Sequence, residues 1–334
     1  MSKISLLFRW LSLSLVTSTL VVACNQQPNT TTSGTQPSAP LVSATYAWIG
    51  YTGHDVAVKK GFFAQEGLNI QDKFFPTGSE EITALLAGKL DIAWSTSGDA
   101  IQAIDKDPSL KIIYLVDYSD GADGILARNV ATPKEAKGKS LARENLLFEK
   151  VLLQAYLKQG GLTEKDLKVQ DMPAPDAGTA FATKKVDMAV TFEPFLTKNA
   201  KLGGGKVVFS TKDTNLIADV IVVKDKLIQT RKKDLQAYLR AVDKAVKLIN
   251  KADPEAIKIA AEKLGIKPEE IKEQLAGAKL FDLDANKAMG FQKDNPKSLI
   301  GNLEITTKAA EEFKLISKPI KVESLYDDSI VLTK

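Results

Sequence analysis

From about residue 44 onward, short apolar runs alternate with segments whose apolar positions recur every three or four residues. That alternation predicts an α/β fold. Residues 44–50 read as a first strand, 55–67 as a helix and turn, and 69–75 as a second strand. Ser79 stands where an N-cap belongs, with Glu80 and Glu81 in the first turn, where the helix dipole favours anions. Ile82, Leu85 and Leu86 then share one face, and Gly88 suits the stop. Further on, strands are expected at 139–142, 167–170, 186–190 and 206–209, with helices between them. Gly160 and Gly161 stop the helix that carries Val151, Leu152, Ala155 and Tyr156. The β-branched run 217–223 is one more strand, and from Leu235 the spacing is helical. There Asp253 is an N-cap, followed by Pro254 at the first helical position.

The stretch LLAGKLDIAWS at 85–95 is echoed by FATKKVDMAVT at 181–191. Each copy reads as a helix end, a tight turn with lysine, an aspartate (Asp91 or Asp187) and a short buried strand ending in a hydroxyl residue. Two lobes of related design follow: residues 44–125 and 222–334 as the first, and 126–221 as the second.

The N-terminal segment changes the compartment. Lys3 and Arg9 precede an apolar run that is too short to span a bilayer and ends in Leu20-Val21-Val22-Ala23-Cys24. That pattern resembles a bacterial lipobox, so residues 1–23 are expected to be a lipoprotein signal peptide. Cys24, the single cysteine, would be the lipid anchor, with localisation outside the cytoplasm on the membrane. Residues 24–43, rich in Thr, Ser, Gln, Asn and Pro, read as a flexible tether. The formal charge of +4 falls to about +2 without Lys3 and Arg9, and no long basic run points to nucleic acid. A monomer is expected.

In open α/β sheets ligands bind beyond the carboxyl ends of strands. That selects the loops at 48–55, 76–81, 95–99, 117–123, 143–147, 173–179 and 191–194. They are rich in acids and hold one arginine, Arg143. The candidate ligand-binding residues are Trp48, Tyr51, His54, Ser97, Asp99, Asp117, Tyr118, Asp120, Asp123, Glu144 and Glu193. Carboxylates with aromatic faces suit a planar nitrogenous cation, whereas an oxyanion would call on Arg143 and helix N-termini. One histidine, His54, cannot build a zinc cluster, and neither a P-loop nor a dinucleotide fingerprint occurs. No cofactor, metal or catalytic residue is expected.

Several motifs carry a resemblance. KKGFFAQEGL at 59–68, Gly78 with the 85–95 unit, and Lys137-Gly138-Lys139 ahead of the helix over 152–162 resemble ABC-importer binding proteins for sulfonates, taurine, nitrate and thiamine precursors. Thr191-Phe192-Glu193-Pro194-Phe195 is similar to that family's Trp-Glu-Pro segment, with Phe in place of Trp. The resemblance implies a two-lobed periplasmic-binding-protein fold of type II with an interlobe cleft, a small-molecule ligand, and permease and ATPase partners. The segment 117–123 resembles a branch linked to uptake of guanidine-like compounds, although Asn145-Leu146-Leu147 departs from that branch. The alternatives are a sulfonate or taurine-type anion as ligand, or an enzyme on the same fold, such as one making thiamine pyrimidine with histidine and cysteine.

Overall fold

The computed structural model describes residues 39–212 and 214–332. The segment expected to be a signal peptide, Cys24 and most of the segment expected to be a tether lie outside the described residues. Two sheets organise the rest. Eleven strands are described: β1 (Leu41–Thr45), β2 (Ile70–Phe74), β3 (Ile92–Thr96), β4 (Leu110–Ser119), β5 (Asp123–Ala127), β6 (Ser140–Arg143), β7 (Lys168–Asp171), β8 (Met188–Phe192), β9 (Lys206–Ser210), β10 (Ala218–Lys224) and β11 (Ala278–Leu280). The first sheet has the order β11-β4-β10-β3-β1-β2 and the second β7-β6-β8-β5-β9. In each, the strand next to one edge pairs in parallel with two neighbours: β1 with β2 and β3, and β6 with β7 and β8. In each, one antiparallel strand follows, β10 beside β3 and β5 beside β8.

The repeated pattern has a common cause. Asp91 Oδ2 accepts from the Val42 amide at 2.8 Å, and Asp187 Oδ2 accepts from the Ser140 amide at 2.9 Å. Each aspartate pins the start of its sheet's parallel-paired strand next to the edge, β1 or β6, so the echo in sequence is an echo in hydrogen bonding. Gly88 leaves the preceding helix, Gly78–Leu86, at φ +69°, a conformation that costs a side chain dearly.

Some elements lie elsewhere than the pattern placed them. β1 begins at Leu41, and the chain then turns through the 3-10 segment Ile49–Tyr51, because Thr52–Lys59 is already helical. Thr77, not Ser79, caps the helix Gly78–Leu86, its hydroxyl accepting from the Glu80 amide at 3.2 Å. Ser79 is thereby free to reach another partner. Asp253 does cap its helix, accepting from the Ala256 amide at 2.9 Å. Sheet membership changes within 120–122 and 211–217, ahead of the lobe boundaries expected at 125/126 and 221/222. The reason is that β5 and β10 are both inserted as antiparallel strands as soon as the chain arrives.

Apolar packing follows the sheets. One large core gathers β1, β3, β4 and β10 against the helices Thr52–Lys59, Ser97–Lys106 and Lys232–Asn250. It also takes in Leu147, Phe148 and Phe192 from the second sheet's side. Two smaller cores cover the two faces of the second sheet, around Leu152 and Tyr156 and around Phe181 and Leu196. Among the described residues no helix is long and apolar enough to cross a membrane.

Candidate functional site

The sheets present the carboxyl ends of β1, β3, β4, β6 and β8 to one another, and the residues just beyond those ends meet. Trp48 packs edge-on to Phe192 at 5.7 Å between ring centroids, and Tyr46 lies 6.3 Å from the same ring. The Ser79 hydroxyl, released from capping, donates to Glu144 across the cleft. Gly98 approaches the Leu147 side chain so closely that an added Cβ would sit 3.3 Å from it.

A layer of buried acids lies among these rings. Asp117, near the end of β4, is fully buried, and its Oδ2 accepts from Trp48 Nε1 at 3.0 Å. Asp219, on β10, stands directly opposite Asp117 in the strand register and accepts from the Tyr51 hydroxyl at 2.5 Å. Asp123 opens β5 opposite Phe192. Asp117 Oδ1 and Asp123 Oδ2 are buried with no hydrogen-bond donor. The approach depends on Gly50, where a Cβ would fall 1.9 Å from Asp117 Oδ2 and 2.3 Å from Trp48 Nε1.

Burial dominates the electrostatics. It pushes Asp117, Asp123 and Asp99 up to about 7, and Asp219 well above the carboxylate range with Asp117 as the second cause. Asp117 and Glu193 add like-charge repulsion on Asp123, and Glu144 adds it on Asp99. Among the described residues, the hydrogen bonds and ion pairs of Asp117, Asp123 and Asp219 include no lysine or arginine. Buried carboxylates without a counter-charge are costly, and a bound cation is one of the few ways to offset that cost.

The remaining sequence candidates divide. Glu144 bridges Ser79 and the Ala174 amide, the latter at 3.2 Å, at the cleft's edge. Asp99 accepts from the Thr96 hydroxyl at 2.8 Å, and Ser97 donates to Asn302 Oδ1 at 2.7 Å, both at the start of the helix Ser97–Lys106. Glu193, two residues ahead of the helix Phe195–Gly203, accepts from the Thr197 amide at 3.2 Å and from the Thr197 hydroxyl. Tyr118, one residue after Asp117, faces the other way, edge-on to Phe281 at 5.6 Å. Asp120 is exposed in the turn between β4 and β5, where its amide donates to the Gly277 carbonyl at 2.7 Å. His54 is not with the acids. Its Nε2 meets Asp72 at 2.9 Å and its Nδ1 meets the Tyr238 hydroxyl at 3.0 Å, within the first sheet's core. Arg143 is occupied too, with Nε on Glu164 at 2.9 Å and Nη1 on Asp171 at 2.8 Å.

The acids that sequence reasoning missed are Asp219 and Glu149, both buried; Glu81, expected among the acids of the cleft loops, is buried as well. Glu149 accepts from the Glu144 amide at 2.6 Å, and Glu81 from the Trp94 amide at 3.1 Å. Asp219 did leave a signal, as the one charge inside the otherwise apolar run 217–223.

Two α/β sheets of matching topology, facing each other through the carboxyl ends of their strands, define the periplasmic-binding-protein class of fold. The chain belongs to the NMT1/THI5 like family, whose model matches residues 48–257. Two solved structures share the fold across most of their length. The alkanesulfonate-binding protein SsuA from Xanthomonas axonopodis pv. citri, bound to MOPS, is 18% identical with a TM-score of 0.73, covering 88% of this chain and 99% of that one. The aliphatic sulphonate binding protein SsuA from Escherichia coli is 19% identical with a TM-score of 0.71, covering 86% and 92%. A Brucella abortus (strain 2308) protein whose name calls it a binding protein is 25% identical over 167 residues, 48% of this chain. The chain spans about half the length of that relative, 52% of it.

Proposed function

We propose that this protein is an extracytoplasmic solute-binding protein, held to the membrane through lipidated Cys24, which captures a small nitrogenous cation of guanidine-like or urea-like shape. It passes that solute to an ABC permease and its ATPase. The observation that carries the reading is the layer of buried, donor-less carboxylate oxygens on Asp117 and Asp123, walled by Trp48, Phe192 and Tyr46. A planar cation there would donate to the carboxylates in its own plane and lay its faces on the rings. Trp48, Tyr51, Asp117, Asp123 and Asp219 are the contacts we assign first, with Asp99 and Glu144 at the margin. The two lobes act as bodies joined at 120–122 and 211–217, and closure buries the ligand. A ligand favours the closed state only through its better contacts there. The work done is binding, with no chemical step.

The second reading is a sulfonate anion, favoured by what the SsuA structures bind by name. Its difficulty is chemical. The cleft's arginine, Arg143, is already held by Glu164 and Asp171, and an anion beside Asp117 and Asp123 would meet like charge. Titration calorimetry with guanidinium, urea, taurine and an alkanesulfonate separates the two. Heat with guanidinium and none with the sulfonates is expected, and tight sulfonate binding with silent guanidinium would overturn the cation reading.

A further inference from the structure

Asp117 and Asp219 occupy facing positions on the antiparallel strands β4 and β10, with their side chains within hydrogen-bonding reach of each other. Both are fully or almost fully buried. Two like charges directly across a strand pair repel, and here no solvent weakens the repulsion. The donors around them are already assigned. Trp48 Nε1 serves Asp117 Oδ2 and the Tyr51 hydroxyl serves Asp219 Oδ1, which leaves Asp117 Oδ1 buried with nothing to accept. A single proton held between the two carboxylates would satisfy that oxygen and remove one of the two charges. A cation placed at the same spot would do both as well.

We propose that Asp117 and Asp219 share one proton in the ligand-free cleft, that a cationic ligand displaces it to solvent, and that Asp219 thereby selects for charge. Binding is then an exchange. The O–H bond of the shared acid breaks, the proton leaves to solvent, and the ligand's N–H groups take over both carboxylates. A neutral ligand of the same shape has no charge to offset the second carboxylate and leaves the proton where it is. The ligand half of this inference rests on the cation reading above, whereas the shared proton does not.

The surrounding groups favour a retained proton. Asp123 on β5 adds negative charge, and Glu193, beyond β8, acts on Asp123 in turn. Tyr51 and Tyr46 stay neutral, held up by burial first and by Asp219 next. Glu81 and Asp99, on the helices at 78–86 and 97–106, add to the negative field at Tyr46. On β11, Leu280 faces Asp117, and the nearby Lys279 ammonium lies 5.7 Å from the Phe281 ring centre.

The test has two parts. Aspartate-labelled 13C NMR of the ligand-free protein follows each carboxyl against pH in wild type, Asp219→Asn and Asp117→Asn. The isosteric asparagines remove repulsion and should fold. The pair is expected to titrate in two separated steps in wild type. Asp117 should titrate in one lower step in Asp219→Asn. Unchanged titration of Asp117 in that variant would overturn the shared proton. Calorimetry with guanidinium chloride in phosphate and in Tris at pH 7 then counts protons. Wild type should release about one proton more than Asp219→Asn, because Asp123, raised to about 7, contributes to the release in both. Below the pair's upper step, guanidinium affinity should fall more steeply in wild type than in Asp219→Asn by about tenfold per pH unit, as linkage to one extra proton requires. Equal heats in the two buffers would overturn the exchange. A paired titration with no guanidinium heat in either buffer would overturn the cation reading and the exchange together, while the shared proton would stand on the NMR alone.

Discussion

Replacing Asp123 by asparagine keeps the shape of the side chain and removes one buried charge. The wild-type carboxyl is raised from 3.8 to about 7, first by burial and then by the neighbouring acids Asp117 and Glu193. Its folded-state value therefore lies above its unfolded one. The folded protein binds more protons than the unfolded chain between about pH 4 and pH 7. Asp123's contribution is fully present below about 4 and is lost as the pH rises through about 7. Three units at about 1.36 kcal/mol each give about 4 kcal/mol, an upper bound because opening the cleft hydrates the carboxylate. Asparagine carries no such loss. Scanning calorimetry of ligand-free wild type and Asp123→Asn at pH 4.5 and 7.5 measures the difference. Wild type alone is a poor reporter, since Asp187, held low by Ser140, titrates with the opposite sign. About 1 of those 4 kcal/mol is already lost at pH 4.5, so at about 2 °C per kcal/mol for a chain of this size the variant's Tm advantage should grow by up to about 6 °C between the two pH values. A constant difference, or one that shrinks with pH, would refute the claim that Asp123 is buried as an uncompensated acid. The same variant should bind guanidinium about 10–100-fold more weakly, the loss of one charge-assisted hydrogen bond.

Other consequences can be checked separately. Gly50→Ala sets a methyl 1.9 Å from Asp117 Oδ2, so it should displace that carboxylate, cost about 1–3 kcal/mol in thermal stability and weaken guanidinium binding. Arg143→Ala breaks bridges to Glu164 and Asp171 and should lower stability by about 1–3 kcal/mol while leaving guanidinium affinity within about threefold; a large loss of affinity would favour the anion reading. Ser79→Ala removes the hydroxyl that meets Glu144 across the cleft, and at about 1 kcal/mol it should reduce the ratio of closed to open molecules about fivefold, read as a larger radius of gyration in small-angle scattering with sub-saturating ligand.

Much of the architecture was legible in the sequence because it rests on local patterns. The strand runs, the Asp253-Pro254 cap and the Asp91/Asp187 echo are set within a few residues. The structure explains the echo as two aspartates holding equivalent strand amides. The candidate site was legible in part. Acids crowding the loops pointed to Asp117 and Asp123, and the aromatic residues Trp48 and Phe192 are beside them. What sequence could not supply was the pairing across chain distance. Asp219 lies about a hundred residues from Asp117 and reads as one flaw in an apolar strand, until β10 is inserted beside β4. His54 illustrates the reverse. Its position in the cleft-side loop 48–55 made it a candidate, but Asp72 and Tyr238 take both its nitrogens within the core. Ser79 was assigned a local cap, whereas Thr77 two residues earlier takes that role and leaves Ser79 for Glu144.

The most direct test of the account is a crystal structure of the protein grown with guanidinium. Planar density between Asp117 and Asp123, stacked against Phe192 or Trp48 with Asp219 within reach, is the predicted result. An empty acidic layer, with the ligand bound elsewhere or a sulfonate seated at Arg143, would contradict it.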